Sequence, residues 1–323
     1  TCKFILPSKF KKTDLHNDLV ALSALLIIYP FIGSTIEFKF SISHYFYSYC
    51  VISGKTIIKP NTFIGQINER ENNKHSLAYS GGVDSSAASI LLPNTTQHIF
   101  LDRINPIVKT DFIYRKDQIY YSIDYLQKLK KKVVAVKTDL ELMREPVGFI
   151  FDLACGIPNI LLSQYFNYKT INYGYVIHHF DQLIKKYPDY FCLGQWKLYT
   201  KPDSHTKKIS TLNFWENLFK SADLNIKFPT NHLTEFDTWK IVNNSKYRNH
   251  FHSCMRGFVG MPCGKCKKCC KLSFLKFVMT PEKNKTAEHF RKLIGLIKSI
   301  LSQYGYEFKN ITDYGNFELM GIY

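Results

Sequence analysis

The sequence predicts an α/β protein built on a doubly wound parallel sheet, with an α+β extension before it and a small zinc-binding subdomain after it. Three observations predict this. The apolar run His75-Ser76-Leu77-Ala78-Tyr79 breaks at Ser80-Gly81-Gly82 and restarts as a helix over Ser85–Leu92. From there to Tyr175 strand-like and helix-like segments alternate, as parallel strands joined by right-handed crossovers require. Near the C-terminus, four cysteines fall in metal-ligand spacing.

Taken in order, residues 1–74 form the extension. Asp14 to Ile28 carries apolar residues at helical spacing and ends at Pro30 and Gly33, Thr35–Ser41 alternates as a strand does, and Tyr45 to Ile58 adds a helix and a strand. The aromatics here read as core rather than as a platform for stacked bases. The polar stretch Asn68–Lys74 marks a boundary, dividing the chain into 1–74, a nucleotide-binding unit over 75–225 and a zinc-binding and helical region over 226–323.

The second unit opens with the glycine pair. A strand ending at Tyr79 delivers Ser80, Gly81 and Gly82 to the carboxyl edge of the sheet, where backbone N–H groups close around a phosphate, and the next helix aims its positive end at the same anion. Ser80, Ser85 and Ser86 supply hydroxyl donors around Val83, and Asp84 is the group able to hold Mg²⁺. The bland alternative is a glycine turn without a ligand. The spacing is neither a Walker loop nor Gly-x-Gly-x-x-Gly. Strand His98–Leu101 then ends at Leu101 and Asp102, either a place for adenine or ribose or a plain turn. Helix Asp117–Lys131, strand Val133–Lys137, a helix around Asn159–Phe166 and strand Thr170–Tyr175 complete the alternation. His178, His179 and Asp181 follow Gly174 on the same edge. Adjacent histidines on an extended chain face opposite ways, which favours hydrogen bonding over one shared ion.

Cys254-x8-Cys263-x2-Cys266-x2-Cys269 is the metal signal, with Gly264 easing the tight turn. Four thiolates on a tetrahedral Zn²⁺ leave no open position, so the role is structural; an iron–sulfur cluster uses the same ligand type and competes. Lys265, Lys267, Lys268 and Lys271 offset the thiolate charge, and Cys270 is spare or an exchange ligand. Nine cysteines in this arrangement fit a reducing cytoplasm better than a disulfide framework.

The chain has 323 residues, 45% of them hydrophobic, enough for a buried core, and no apolar run of the ~18 residues that span a membrane. Forty-three basic residues against 26 acidic ones give +17, which favours anionic partners such as ATP or nucleic acid, the alternative being a solvated basic surface. Cys254 to Lys298 alone holds eleven basic residues and two acidic ones. Thr286–Tyr304 reads as an amphipathic helix that packs its apolar face on the core.

Ser80-Gly81-Gly82-Val83-Asp84-Ser85 resembles the Ser-Gly-Gly-x-Asp-Ser signature of the PP-loop ATP pyrophosphatases, the adenine nucleotide alpha hydrolase-like proteins. Together with Ser253-Cys254 and Cys263-Gly264-Lys265-Cys266-Lys267-Lys268-Cys269, it resembles the 7-cyano-7-deazaguanine synthase family; Phe228-Pro229, Leu233-Thr234 and Pro158-Asn159 fit the same pattern. The chain departs from the family at Pro158 and Glu235, where arginine and lysine are expected, and in its additions at both ends.

The resemblance implies an ATP-dependent carbon–nitrogen ligase that adenylates a carboxylate such as 7-carboxy-7-deazaguanine for attack by an amine, releasing AMP and pyrophosphate. Asp84 and Ser85 then serve the chemistry, residues 80–86 with Leu101 and Asp102 hold ATP, and Cys254, Cys263, Cys266 and Cys269 hold zinc. A place in deazaguanine modification or antiphage defence follows, with a protein or nucleic-acid acceptor and a homodimer compatible with it. The alternatives are a PP-loop enzyme that thiolates or amidates a nucleic acid, and a nucleotide-binding subunit of a defence complex that turns nothing over.

Overall fold

The structure, a computed structural model, describes residues 2–11, 15–28, 31, 35–52, 57–103, 116–143, 148–150, 152–176, 211–248, 250 and 254, and beyond these 257–258, 261–264, 268–269, 272–273, 276, 288, 291, 294–295 and 298. The expected residues His178, His179, Asp181, Cys266 and Cys270, and most of the helix Thr286–Tyr304, lie outside the described residues.

Ten strands and seven α-helices are described. In chain order they are β1 (Phe4–Ile5), α1 (Asn17–Ile28), β2 (Thr35–Phe38), β3 (Ile42–Ser43), α2 (His44–Ile52), β4 (Ile57–Pro60), β5 (Phe63–Ile64), β6 (His75–Tyr79), α3 (Val83–Leu91) and β7 (Gln97–Arg103). After them come α4 (Lys116–Lys128), β8 (Lys132–Thr138), α5 (Ile157–Leu162), β9 (Thr170–Tyr173), α6 (Thr211–Ser221), β10 (Asn225–Lys227) and α7 (Glu235–Asn243). The central sheet runs β1-β8-β7-β6-β9-β10. All its pairs are parallel except β1 on β8, where Phe4 faces Thr138 and Ile5 faces Lys137. The order reverses at β6: β7 lies on one side of it and β9 on the other. Ligands of doubly wound sheets bind at such a reversal, outside the carboxyl ends of the strands, because the flanking crossovers diverge there.

Alternation along the strands feeds two cores. Leu77, Tyr79 and Phe100 pack with Ala87 and Ala88 of α3, Ile123 and Leu126 of α4, and Trp239 and Val242 of α7. On the opposite face Ile171 and Tyr173 of β9 pack with Leu19, Leu22 and Leu26 of α1, Ile157 and Ile160 of α5, and Trp215 and Phe219 of α6. Each of the leucines, isoleucines and phenylalanines taken from water contributes about 1.5–3 kcal/mol, and the two layers hold the sheet between them.

The extension shares this second core. It adds β1 to the sheet and α1 to α5, and it carries two small parallel ladders, β2–β4 and β3–β5. Asp18, fully buried in the first turn of α1, accepts from Ser43 N at 2.8 Å and Ser43 Oγ at 2.6 Å, which ties the helix to β3. The polar stretch expected as a boundary is fastened as well. Arg70 Nε donates to Asp223 Oδ2 at 2.6 Å, and its Nη1 and Nη2 donate to the Tyr168 and Asp223 carbonyls. Lys169 Nζ adds a 2.9 Å contact to Asp223 Oδ1.

Observed and expected elements differ at their ends. Helix α3 starts at Val83, two residues ahead of the expected Ser85, because Gly82 with φ −78° and ψ 173° takes the N-cap. Strand β7 runs to Arg103 because β8 pairs with it along its whole length.

Candidate functional site

The loop between β6 and α3 is built from its own side chains. Gly81 has φ +76°, left-handed backbone that a β-carbon disfavours, so the chain can reverse within one residue. Ser80 Oγ and Ser85 Oγ lie 3.1 Å apart, Ser80 N donates to Ser85 Oγ at 3.3 Å, and Ser85 Oγ donates to the Gly82 carbonyl at 3.1 Å. Gly82, at the N-cap, makes no side-chain cap hydrogen bond. Gly174, the residue after β9, closes the other wall: a β-carbon there would stand 2.6 Å from Ser85 Cα and 2.7 Å from Ser85 N. Only glycine lets the two elements meet this closely.

A cleft of about 230 Å³ opens at this junction, lined by Ser80, Gly82, Val83, Asp84, Ser85, Gly174, Tyr175, Glu235, Lys268 and Leu272. Four of the sequence-expected residues with side chains thus share it with Gly82. Gly81 shapes the turn behind it. Ser86 is turned inward: its hydroxyl lies 3.1 Å from Tyr79 OH and its N–H is used by the Gly82 carbonyl. Asp84 Oδ1 accepts from Thr238 Oγ1 at 2.8 Å, so the carboxylate is held by the first turn of α7. That turn is fixed in its own right by a capping box, Thr234 and Asp237 each bonding the other's backbone N–H.

Leu101 and Asp102 lie outside the cleft lining. Leu101 is a buried strand residue. Asp102 is 1% exposed; its Oδ2 accepts from Tyr120 OH at 3.1 Å, while its buried Oδ1 has no hydrogen-bond partner among the described residues. The Asp102 charge holds the Tyr120 phenol above its ordinary range, which keeps it a donor.

At the C-terminal side, Cys254, Cys263 and Cys269 bring their Sγ atoms within 4.8 Å of one another. Cys263 and Cys269 sulfurs lie 3.7 Å apart. Two thiolates on one tetrahedral ion, with bonds of ~2.3 Å, stand roughly 3.8 Å apart, so the donors fit a single metal ion. Cys263 N donates to Cys254 Sγ at 3.4 Å, Gly264 turns the chain with φ +70°, and a β-carbon at Gly257 would meet the Met261 carbonyl at 2.0 Å. Away from the cluster, burial pushes the thiols of Cys2 and Cys155 up to about 11 and about 12, and that of Cys50 up as well, so none of these is a thiolate near neutral pH.

Gly174 was visible as a strand end, but its contact with Ser85 was not. Thr238, Lys268 and Tyr175 entered the site unannounced. The Thr234-x-x-Asp237 pattern could have placed Thr238 in a first helical turn, whereas no sequence signal shows which turn meets Asp84.

A model of a family of unknown function, DUF6395, matches residues 214–320, less than half of the chain. The match takes in α7, the cysteine cluster and Lys268. No curated protein matches the sequence. Among solved structures, the chain is similar to the U34-tRNA thiolase NcsA from Methanococcus maripaludis with its [4Fe-4S] cluster, at 15% identity and a TM-score of 0.35, over 72% of this chain and 73% of that one. Among the described residues no helix is long and apolar enough to cross a membrane.

Proposed function

We propose that the protein is a PP-loop enzyme that uses ATP, cleaved between its α and β phosphates, to adenylate an oxygen on a nucleic-acid base so that a sulfur or amine nucleophile can replace it. The glycine loop carries this reading: Gly81 turns the chain in left-handed backbone, and the paired Ser80 and Ser85 side chains and the start of α3 line one cleft at the point where strand order reverses.

In this reading Ser80, Ser85 and the loop backbone hold the departing pyrophosphate. The acceptor oxygen attacks the α-phosphorus, the bond from that phosphorus to the bridging oxygen breaks, and pyrophosphate leaves with the electron pair. The nucleophile then attacks the adenylated carbon and AMP departs, taking the original oxygen. The chain needs no nucleophile of its own, which agrees with the protonated state of Cys155 beside Tyr175. Stabilisation is electrostatic, from donors preorganised around phosphate. Asp84 would hold Mg²⁺, whose charge would offset that of the phosphates. Cys254, Cys263 and Cys269 would hold zinc in a structural role: thiolates on separate irons of a cluster stand farther apart than these do.

The charge of +17 favours a polyanionic acceptor over a small acid. A second reading, a free deazapurine carboxylate amidated by ammonia, is favoured by the order Cys254, Cys263-Gly264-Lys265-Cys266 and Cys269. The two separate in one experiment with α-labelled ATP, offered with total tRNA or DNA plus a sulfide or ammonium source, or with 7-carboxy-7-deazaguanine plus ammonium. AMP formed only with nucleic acid is the expected result. AMP formed with the deazapurine acid alone establishes the second reading, and ATP bound but intact in both arms makes the protein a non-catalytic nucleotide-binding subunit.

A further inference from the structure

We propose that Lys268 is a phosphate-binding residue of the nucleotide cleft and that the cysteine cluster sets its position, so that metal occupancy governs nucleotide affinity. This rests on the nucleotide reading above and goes beyond it, since it joins two sites that the sequence presents as separate.

Lys268 is exposed, immediately precedes Cys269, and lines the cleft with Ser80, Gly82, Asp84 and Ser85. Cys269 is 3% exposed, with its sulfur 3.7 Å from that of Cys263. One residue therefore faces the metal donors and its neighbour faces the phosphate loop. Positions 268–269 and 272–273 are helical, and Leu272 lines the same cleft as Lys268. Leu272 also packs against the core formed by α3, α4 and α7. The turn is thus pinned on one side by apolar packing and on the other by the cysteines.

Charge gives Lys268 its use. Among the described residues of the lining, Asp84 and Glu235 are anionic and Lys268 is the cation. A triphosphate entering between two carboxylates is repelled unless positive charge meets it, and an ammonium beside the loop supplies that charge with three donors. Offsetting thiolate charge, the role expected from sequence, does not require a lysine at the lip of this cleft. Contact with the β and γ phosphates gives a lysine at that place a use. Without a metal ion the thiols have no shared centre to converge on, and the segment that presents Lys268 loses the anchor that Cys269 gives it.

The test uses the purified full chain, with ATP, AMP and inorganic pyrophosphate as calorimetric probes and metal content and melting temperature recorded in parallel. Lys268→Ala is expected to keep its metal and melting temperature, to weaken ATP and pyrophosphate binding about tenfold, the value of one charge-assisted hydrogen bond, and to leave AMP binding nearly unchanged. Lys268→Arg restores most of the loss. Chelation of the unaltered protein is expected to cost the same tenfold for ATP, and chelation of Lys268→Ala to cost nothing further. Full ATP affinity in Lys268→Ala, or in the chelated unaltered protein, overturns the inference while leaving the nucleotide reading intact. Failure of the unaltered, metal-loaded protein to bind ATP overturns both.

Discussion

Thr238 Oγ1 donates a 2.8 Å hydrogen bond to Asp84 Oδ1, joining the first turn of α7 to the first turn of α3 across 154 residues of sequence. The bond aims the carboxylate at the lip of the cleft and makes α7 part of the phosphate loop's frame. Charge and aim can be separated by substitution. Asp84→Asn keeps an acceptor for Thr238 and loses the charge, so AMP formation is expected to fall by roughly a hundredfold or more with melting nearly unchanged. Thr238→Val keeps the charge and loses the donor, costing about 1 kcal/mol of stability and a smaller part of the rate. AMP release at the unaltered rate from Asp84→Asn would remove Asp84 from the reaction.

Gly174 and Ser85 make the second test. A methyl group at position 174 meets the Ser85 backbone at 2.6–2.7 Å, and neither side can yield by rotating a side chain. Gly174→Ala is expected to force β9 and α3 apart, at about 1–3 kcal/mol, and to abolish nucleotide binding, read by calorimetry with ATP. Retained affinity would show that the cleft does not depend on this close approach.

Cysteine substitution addresses the metal donors. Cys269→Ser is expected to lose bound metal and melting temperature together, because the ion's binding energy is part of the folding energy. Cys155→Ser, away from the cluster, keeps its metal. Elemental analysis beside thermal melts decides it, and a full metal complement in Cys269→Ser would remove that residue from the ligand set.

Acid sensitivity follows from His98. Its ring is buried on the side of the sheet that α3 covers, with Nε2 2.6 Å from Ser89 Oγ, which in turn lies 2.9 Å from Tyr247 OH. Burial, first, and the nearby Lys131 charge push it down to about 4. Between about 4 and the ordinary value of 6.5 the unfolded chain therefore binds a proton that the folded chain does not. Stability is full above pH 6.5 and declines as pH falls, by about 1.4 kcal/mol per unit and about 3 kcal/mol in all. His75, also lowered by burial, adds in the same direction. Urea unfolding at pH 7 and pH 5 measures this; a midpoint slope that His98→Gln leaves unchanged would assign the effect elsewhere.

Local chemistry made the phosphate loop legible, since Gly81, Gly82 and the flanking serines act through short-range backbone geometry. The strand–helix alternation was legible for the same reason, each period being set by near neighbours. Strand β1 was not: Phe4 and Ile5 carry no pattern long enough to read, and only the open edge of β8 makes them a strand. Lys268 was read as a counter-charge because its neighbours in sequence are cysteines, whereas its neighbours in space include Asp84 and Ser85. His98 was read as the start of a strand, while burial and the distant-in-sequence Lys131 are what lower its pKa. The residues missed are those whose roles depend on docking between distant segments.

The packing of α1 on α5 also has a consequence in time. Helix α1 ends at Ile28, and its partner begins at Ile157. At roughly 5–20 residues per second, a ribosome takes on the order of ten seconds to supply that partner. Through that interval the apolar stripe of Leu19, Leu22, Leu25 and Leu26 lacks the cover that α5 and α6 later give it. A newborn chain is therefore most exposed to aggregation before the central sheet exists, and holding that first helix is the service a chaperone would render it.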